Sequence, residues 1–432
     1  MESLEIFVLV ITFAILLSAG VPISFSIGIS SLFTMLMSIH TMPSLTTIAQ
    51  RMSTGIDSFA LLAIPFFILA GQLMNSGGIA RRLIDFAKIL VGKLPGGLAF
   101  VNIMAAMLFG AISGSAVAAA SAIGGFMTPV MKKEGYDRGF AAAVNITSAT
   151  TGMIIPPSNI LIVYSLASGG VSIAALFLAG YIPGILLGIS LMVPSYIFAK
   201  KNKYKVSITF TFGEAVKKFL DAIPSLLLII IVIGGIVAGY FTATEASAIA
   251  VLYAFILSVF IYREIKFKDL PAILLNSAST TAVVMLLVGT SMAMSWVMAY
   301  ENIPQNVAEA LISLSSNKFV ILVIINVILL IVGTFMDMTP AVLIFTPIFL
   351  PVVTHLGIDP IHFGIIMVMN LSIGLCTPPV GSVLFVGCSV AELPITKVIK
   401  PLIPMFIAMM ITLLLVTYIP ELSMIIPDFF GY

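Results

Sequence analysis

The chain has 432 residues, 60% of them hydrophobic and 9% charged, with a formal net charge of +2. Soluble domains carry about 25% charged residues, and no soluble fold of this length encloses so much apolar side chain, so a water-soluble globular protein is excluded. The small net charge makes no case for nucleic acid as a partner. What remains is an all-α polytopic membrane protein, each span needing about 20 mostly apolar residues. Such runs recur from Leu4 to Pro427.

Taken in order, residues 1–56 predict N-terminal scaffold spans and an interfacial helix. The start, Met1 to Glu5, has no basic region ahead of its apolar run, so it reads as a retained span rather than a cleavable signal. Asp57, beside Ser58, reads as an interfacial cap. Residues 57–199 form a first repeat. Its apolar stretch 98–130 is flanked by Arg81, Arg82, Lys88 and Lys93 on one side and by Lys132, Lys133 and Arg138 on the other. Lys and Arg collect in cytoplasmic loops, so both ends of this stretch are cytoplasmic. A helix over 139–165 follows, broken at Pro156-Pro157.

Residues 200–270 hold cytoplasmic loops, marked by Lys200, Lys201, Lys203 and Lys205 and by Arg263, Lys266 and Lys268. Between them lie central scaffold spans at about 223–240 and 242–262. Thr242 to Glu245 fits a capping box at a helix start. Residues 271–432 form a second repeat. Its stretch 319–352 has only Lys318 at its flanks, with Glu301 and Glu309 nearby and no Lys or Arg from His355 to Pro360, so both ends are periplasmic. A second broken helix follows over 362–388. On this map 18 of the 20 basic residues are cytoplasmic, Arg51 and Lys318 being the exceptions.

The two halves match at a nearly constant offset. Pro156-Pro157 precedes Pro378-Pro379 by 222 residues, Pro129 precedes Pro351 by 222, Gly110 precedes Gly333 by 223, and Pro183 precedes Pro404 by 221. Internal repeats are common in secondary transporters. A stretch that starts and ends on one side is two full spans or a re-entrant hairpin. Ser113-Gly114-Ser115 and Asp337-Met338-Thr339-Pro340 at the two centres favour hairpins, because non-helical backbone at membrane depth is tolerated only where protein buries it or a cavity exposes it. The prediction is therefore a pair of inverted repeats, each with a re-entrant hairpin and a broken helix.

Paired prolines remove two main-chain donors and clash with the preceding turn. The carbonyls they release are costly in hydrocarbon unless paired. A sodium ion, aided by Ser, Thr and Asn oxygens, would pair them, and half-helix N-termini would favour an anionic substrate group. An ordinary kink rescued by Ser and Thr hydroxyls is the structural alternative. Asp337 is an intramembrane carboxylate and so a functional candidate, or else a local cap for the following helix. Cys376 and Cys388 lie in apolar sequence and suggest neither a disulfide framework nor a metal site; His40, His355 and His362 are dispersed. The sequence has no Walker A pattern and no nucleophile–base constellation, so it does not read as an enzyme, and energy must come from an ion gradient or a partner. A sodium or proton exchanger or channel without organic cargo remains the alternative to a carrier.

These motifs closely resemble the large membrane subunit of TRAP transporters, the tripartite ATP-independent periplasmic family. The similar stretches are GIDSFALLAIPFFILAGQLMNSGGIARRL (55–83), FGAISGSAVAAASAIG (109–124), IIPPSNILIVYS (154–165), GGIVAGYFTATEASA (234–248), GTFMDMTPA (333–341), GIDPIHFGII (357–366) and NLSIGLCTPPVG (370–381). The resemblance implies a sodium-coupled, elevator-type symporter of the bacterial inner membrane, with Na+ as coupling ion. It implies organic acid cargo such as sialic acid or a C4-dicarboxylate, a small four-span membrane subunit, and a periplasmic substrate-binding protein. As no four-span segment precedes Leu4, the small subunit is expected as a separate chain. Carried over, one sodium site would involve Ser113, Gly114, Ser115, Gly152 and Pro156. A second would involve Gly333, Asp337, Thr339, Gly374, Thr377 and Pro378. Ser115, Asn145, Asn159, Asn370 and Thr377 are the substrate candidates.

Overall fold

A computed structural model describes residues 2–204, 211–315 and 317–432; Lys205 of the basic loop falls outside the described residues. Among these residues the chain forms α-helices joined by short turns, with no strand. Among the described residues eight helical stretches are long and apolar enough to cross a bilayer. Where they face outward they are apolar, the reverse of a soluble bundle. Ile189, Val193 and Ile197 form one exposed stripe at every fourth residue, and Val323, Val327 and Ile331 form another.

The N-terminal part comprises α1 (Glu2–Ser18), α2 (Ile23–Ser38), α3 (Thr41–Ile56), α4 (Ala63–Ser76) and α5 (Ile79–Val91). Asp57, expected as a cap at a span end, terminates α3 through its own N–H to Thr54 O, 3.3 Å. The first repeat core is α6 (Gly97–Ser113), α7 (Ala116–Lys133), α8 (Arg138–Ala149), α9 (Asn159–Ala167) and α10 (Ile173–Lys201). The centre holds α11 (Phe212–Val237) and α12 (Ala243–Phe255), the latter running into a π-helical turn at Ile256–Ile261. Then come α13 (Leu270–Tyr300) and α14 (Ile303–Leu314). The second repeat core is α15 (Lys318–Phe335), α16 (Met338–His355), α17 (Pro360–Gly374), α18 (Ser382–Ala391) and α19 (Ile395–Tyr418), followed by α20 (Glu421–Phe429).

The helix pairs α6–α7 and α15–α16 are each followed by an interrupted helix, α8–α9 and α17–α18. One boundary differs from the expectation: α11 starts at Phe212 rather than near residue 223. A capping box between Thr211 and Glu214 starts the helix early and carries it through Lys217 and Lys218. The same device starts α12, where Thr242 and Glu245 form the expected box. On the amphipathic α5, burial pushes the Asp85 carboxyl up, but Lys88 at 2.9 Å and Lys218 of α11 at 3.4 Å outweigh it and hold it below the ordinary range.

The repeats interlock reciprocally. The second arm of the first hairpin, α7, packs on α18, and the matching arm α16 packs on α9; α8 lies against α19, and α17 against α10. Two hydrogen bonds fix the sense. Arg138 Nη2 donates to Ala391 O at 2.8 Å, joining the start of α8 to the end of α18. Tyr164 OH donates to Pro360 O at 2.6 Å, joining the start of α17 to the end of α9. The two broken helices therefore run antiparallel. Since α7 leads directly into α8 and α16 into α17, the bases of the two hairpins lie at opposite ends of the bundle.

This arrangement predicts a labelling pattern. In a background with both native cysteines replaced by serine, single cysteines at Glu134 and Glu392 should react with an impermeant maleimide from one side of the membrane. Cysteines at Gly169 and Gly357 should react from the other. Labelling of all four from one side would contradict the antiparallel packing.

Candidate functional site

Each hairpin is pressed against its own broken helix where glycine meets glycine. A Cβ on Gly110 would lie 2.7 Å from Gly152 Cα, and one on Gly374 would lie 2.6 Å from Gly333 Cα. No side chain fits between these main chains, so the glycines are required by close approach. The crossings bring each hairpin tip beside a proline break. At the first, Gly114 takes φ +60° between α6 and α7, and Ser115 caps α7 by accepting from Ala118 N at 3.2 Å. At the second, Asp337 holds the corresponding N-cap position of α16, 222 residues after Ser115, but its carboxylate makes no capping hydrogen bond. The position expected of a cap is thus occupied without the capping contact.

Both proline pairs, Pro156-Pro157 and Pro378-Pro379, interrupt their helices, and both bonds are cis. The breaks do not leave every carbonyl free. Ser158 Oγ donates to Met153 O at 2.5 Å, and Val383 N to Leu375 O at 3.2 Å. Gly381 N reaches back to Thr334 O at 3.0 Å, tying the second break to the second hairpin. Ser382 Oγ, in the first turn of α18, is buried without a partner.

Between the two tips lies a cavity of about 450 Å³, within the range of small-molecule sites. It brings together six of the expected residues: Ser113, Gly114, Ser115, Asn159, Asp337 and Thr339. Asp337 is open to the cavity, although protein surrounds it on most sides. The starts of three helices, at Ala116, Asn159 and Met338, also border the cavity. Their N-terminal N–H groups, of which Ala118 N is capped by Ser115, carry partial positive charge. Among the described lining residues Asp337 is the only charged side chain.

The remaining expected residues lie outside that lining. Gly152, Gly333 and Gly374 form the helix crossings, and Pro156 and Pro378 form the breaks. Thr377 turns its hydroxyl to Ile373 O, 2.9 Å. Asn145 donates to Ala120 O of the first hairpin at 2.8 Å. Asn370 donates to Asn326 O and Oδ1 of the second at 2.9 and 2.7 Å. Sequence reasoning missed Gln72 and Asn75 of α4 and Thr280 of α13, which form the wall facing the tips. A signal was present. Ile64, Ile68, Gly71 and Asn75 recur at helical spacing on one face of α4, and that face meets the first tip where a Cβ on Gly71 would lie 3.2 Å from Ser113 O.

A family model described as "Tripartite ATP-independent periplasmic transporter, DctM component" matches residues 10–422. The chain belongs to this TRAP transporter family. Among its relatives, an uncharacterized protein of Salmonella typhimurium is 57% identical over 99% of this chain and 98% of its own length. The C4-dicarboxylate TRAP transporter large permease protein of Rhodobacter capsulatus is 38% identical over 100% of both chains. The sialic acid TRAP transporter large permease protein of Vibrio cholerae is 40% identical over 96% of this chain and 97% of its own length. The solved structure of the Alcanivorax borkumensis YdaH transporter shares the fold, with a TM-score of 0.65 at 14% identity over 88% of this chain and 89% of that one. This TRAP family member is accordingly a multi-pass membrane transporter subunit, not an enzyme, and its fold is that of all-helical carriers.

The glycine crossings yield a test that separates packing from ion ligation. Gly110 lies outside the lining of the cavity between the tips but touches Gly152, so Gly110→Ala should lower thermal stability by about 1–3 kcal/mol through overpacking, as should Gly152→Ala. Thermal denaturation of the purified protein reads this. Full stability for Gly152→Ala would leave that glycine without a packing role.

Proposed function

We propose that this chain is the large subunit of a sodium-coupled symporter in the bacterial inner membrane, importing an organic acid delivered by a periplasmic binding protein. A small four-span membrane subunit completes the assembly. The observation that carries this reading is the charge of the cavity: one carboxylate, Asp337, and no basic side chain among the described lining residues. An organic acid entering there adds a second negative charge at short range in a medium of low dielectric. Helix N-termini offset part of that repulsion, and a co-transported cation offsets the rest.

Sodium suits the donors at hand. Ser113, Ser115 and Thr339 supply hydroxyls, and Asp337 supplies a carboxylate. Hard cations take oxygen ligands. Ser382 Oγ, buried and unpaired at the second break, adds another oxygen seeking a partner. The breaks at Pro156 and Pro378 serve as the hinges of two ion sites, with Gly152, Gly333, Gly374 and Thr377 contributing main-chain oxygens. The hairpins re-enter the bilayer from opposite faces. They move together with α8, α9, α17 and α18 as one transport body against α4 and α13, in elevator fashion, so the cargo travels between a mobile wall and a fixed one.

Reconstituted proteoliposomes test this reading. Uptake of an organic acid should require the two membrane subunits, the loaded binding protein and an inward sodium gradient together. Equal uptake without sodium, or by the large subunit alone, would overturn it; sodium flux with no organic cargo would point to an exchanger or channel.

A further inference from the structure

Behind the cavity wall lies a second hollow of opposite character. Helices α4, α12 and α13 enclose a groove of about 330 Å³, lined only by apolar side chains, among them Leu69, Leu73, Leu252, Phe255, Leu270 and Leu274. Leu252 and Leu274 are exposed, so the groove opens outward into the hydrocarbon. The two hollows share α4: Ile68, Gln72 and Asn75 border the cavity, whereas Leu69 and Leu73 border the groove.

Phe255 is the last residue of α12 and Leu270 the first of α13. The segment joining these helices therefore lies at that end of the groove. It is one of the basic loops that the charge pattern assigns to the cytoplasmic side, and it carries Arg263, Lys266 and Lys268 with two acids, Glu264 and Asp269. Both acids are engaged elsewhere. Glu264 lies 4.0 Å from Arg82, whose guanidinium also stands 3.5 Å from the centre of the Tyr262 ring. Asp269 accepts from Lys266 N at 3.0 Å. Arg263, Lys266 and Lys268 are exposed and have no acidic partner among the described residues. The same segment exposes Phe260, Ile261 and Phe267. Apolar side chains beside long basic ones belong at the membrane interface, at the depth of lipid headgroups.

An occupant of this site is apolar and slim, and carries negative charge at one end. A single turn of helix with its side chains fills about 400 Å³, more than the whole groove, so a spanning helix of a partner subunit or of a second copy does not enter it. An acyl chain does, and basic clusters on the cytoplasmic side recognise acidic headgroups. We propose that the groove binds an anionic phospholipid of the cytoplasmic leaflet. One acyl chain lies between α4, α12 and α13, and the phosphate meets Arg263, Lys266 and Lys268. The bound chain braces α4 from the side opposite the cavity.

A phosphatidylglycerol with a photoreactive diazirine at mid-chain tests this. After illumination of the purified membrane complex, peptide mass spectrometry should find the label on groove residues of α4, α12 or α13. Unlabelled phosphatidylglycerol should displace it at least tenfold more effectively than phosphatidylethanolamine with the same chains. Each lost cation should weaken binding about fivefold, so Lys266→Gln combined with Lys268→Gln should weaken it about 25-fold, whereas arginine at both positions should preserve it. Lys200→Gln combined with Lys201→Gln removes the same charge from the other cytoplasmic loop and should change nothing. Leu252→Trp should fill the groove and exclude the label, with the melting temperature retained.

Equal displacement by the zwitterionic lipid would overturn the proposal, as would an equal loss in the Lys200 and Lys201 variant. Absence of label from the groove, or undiminished label in Leu252→Trp, would overturn it as well.

Discussion

A main chain that stops being helical inside a bilayer must find its hydrogen-bond partners within the protein. That constraint organises this molecule. In each half the chain leaves the helix at a hairpin tip and at a proline break, and each half brings the two together. The glycine pairs Gly110–Gly152 and Gly333–Gly374 allow main chain to meet main chain, and Gly381 N then bonds Thr334 O across one of the junctions. Concentrating irregular backbone at the two tips leaves polar atoms of both facing a shared space.

The two halves are alike in form and unlike in charge. Ser115 and Asp337 occupy equivalent tip positions; the serine caps its helix and the aspartate does not. One tip is thus neutral and self-satisfied, while the other presents a carboxylate to the cavity. This asymmetry gives an otherwise near-symmetric core a chemical polarity. A lone carboxylate facing the converging positive ends of three helices is suited to holding a cation and an anion side by side, which is the requirement of a symporter for acids.

Much of this was legible in the sequence because its signals are local. Proline pairs break helices wherever they occur, basic residues mark one side of the membrane, and the offset between halves needs only residue numbers. Six of the expected residues line the cavity: Ser113, Gly114, Ser115, Asp337 and Thr339 sit at the hairpin centres those signals mark, and Asn159 follows only from the family resemblance. Asn145 and Asn370 illustrate the limit. An amide in an apolar helix signals a polar contact, yet the sequence does not say whether its partner is cargo or protein. In the fold their N–H groups bond the hairpins, at Ala120 O and Asn326. Gln72 and Asn75 illustrate the converse. They sit in a long apolar helix far from either break in the chain. Only the docking of α4 on the first hairpin, through Gly71 and Ser113, brings them to the cavity.

The central claim is that the carboxylate of Asp337 holds a sodium ion in this cavity, and equilibrium sodium binding tests it most directly. Titration of the purified complex with sodium at constant ionic strength, before any organic acid is added, should give a saturable response. The isosteric Asp337→Asn variant, folded to the same melting temperature in sodium-free buffer, should bind the ion at least tenfold more weakly, a loss of about 1.4 kcal/mol or more. An unchanged sodium isotherm in that variant would contradict the account.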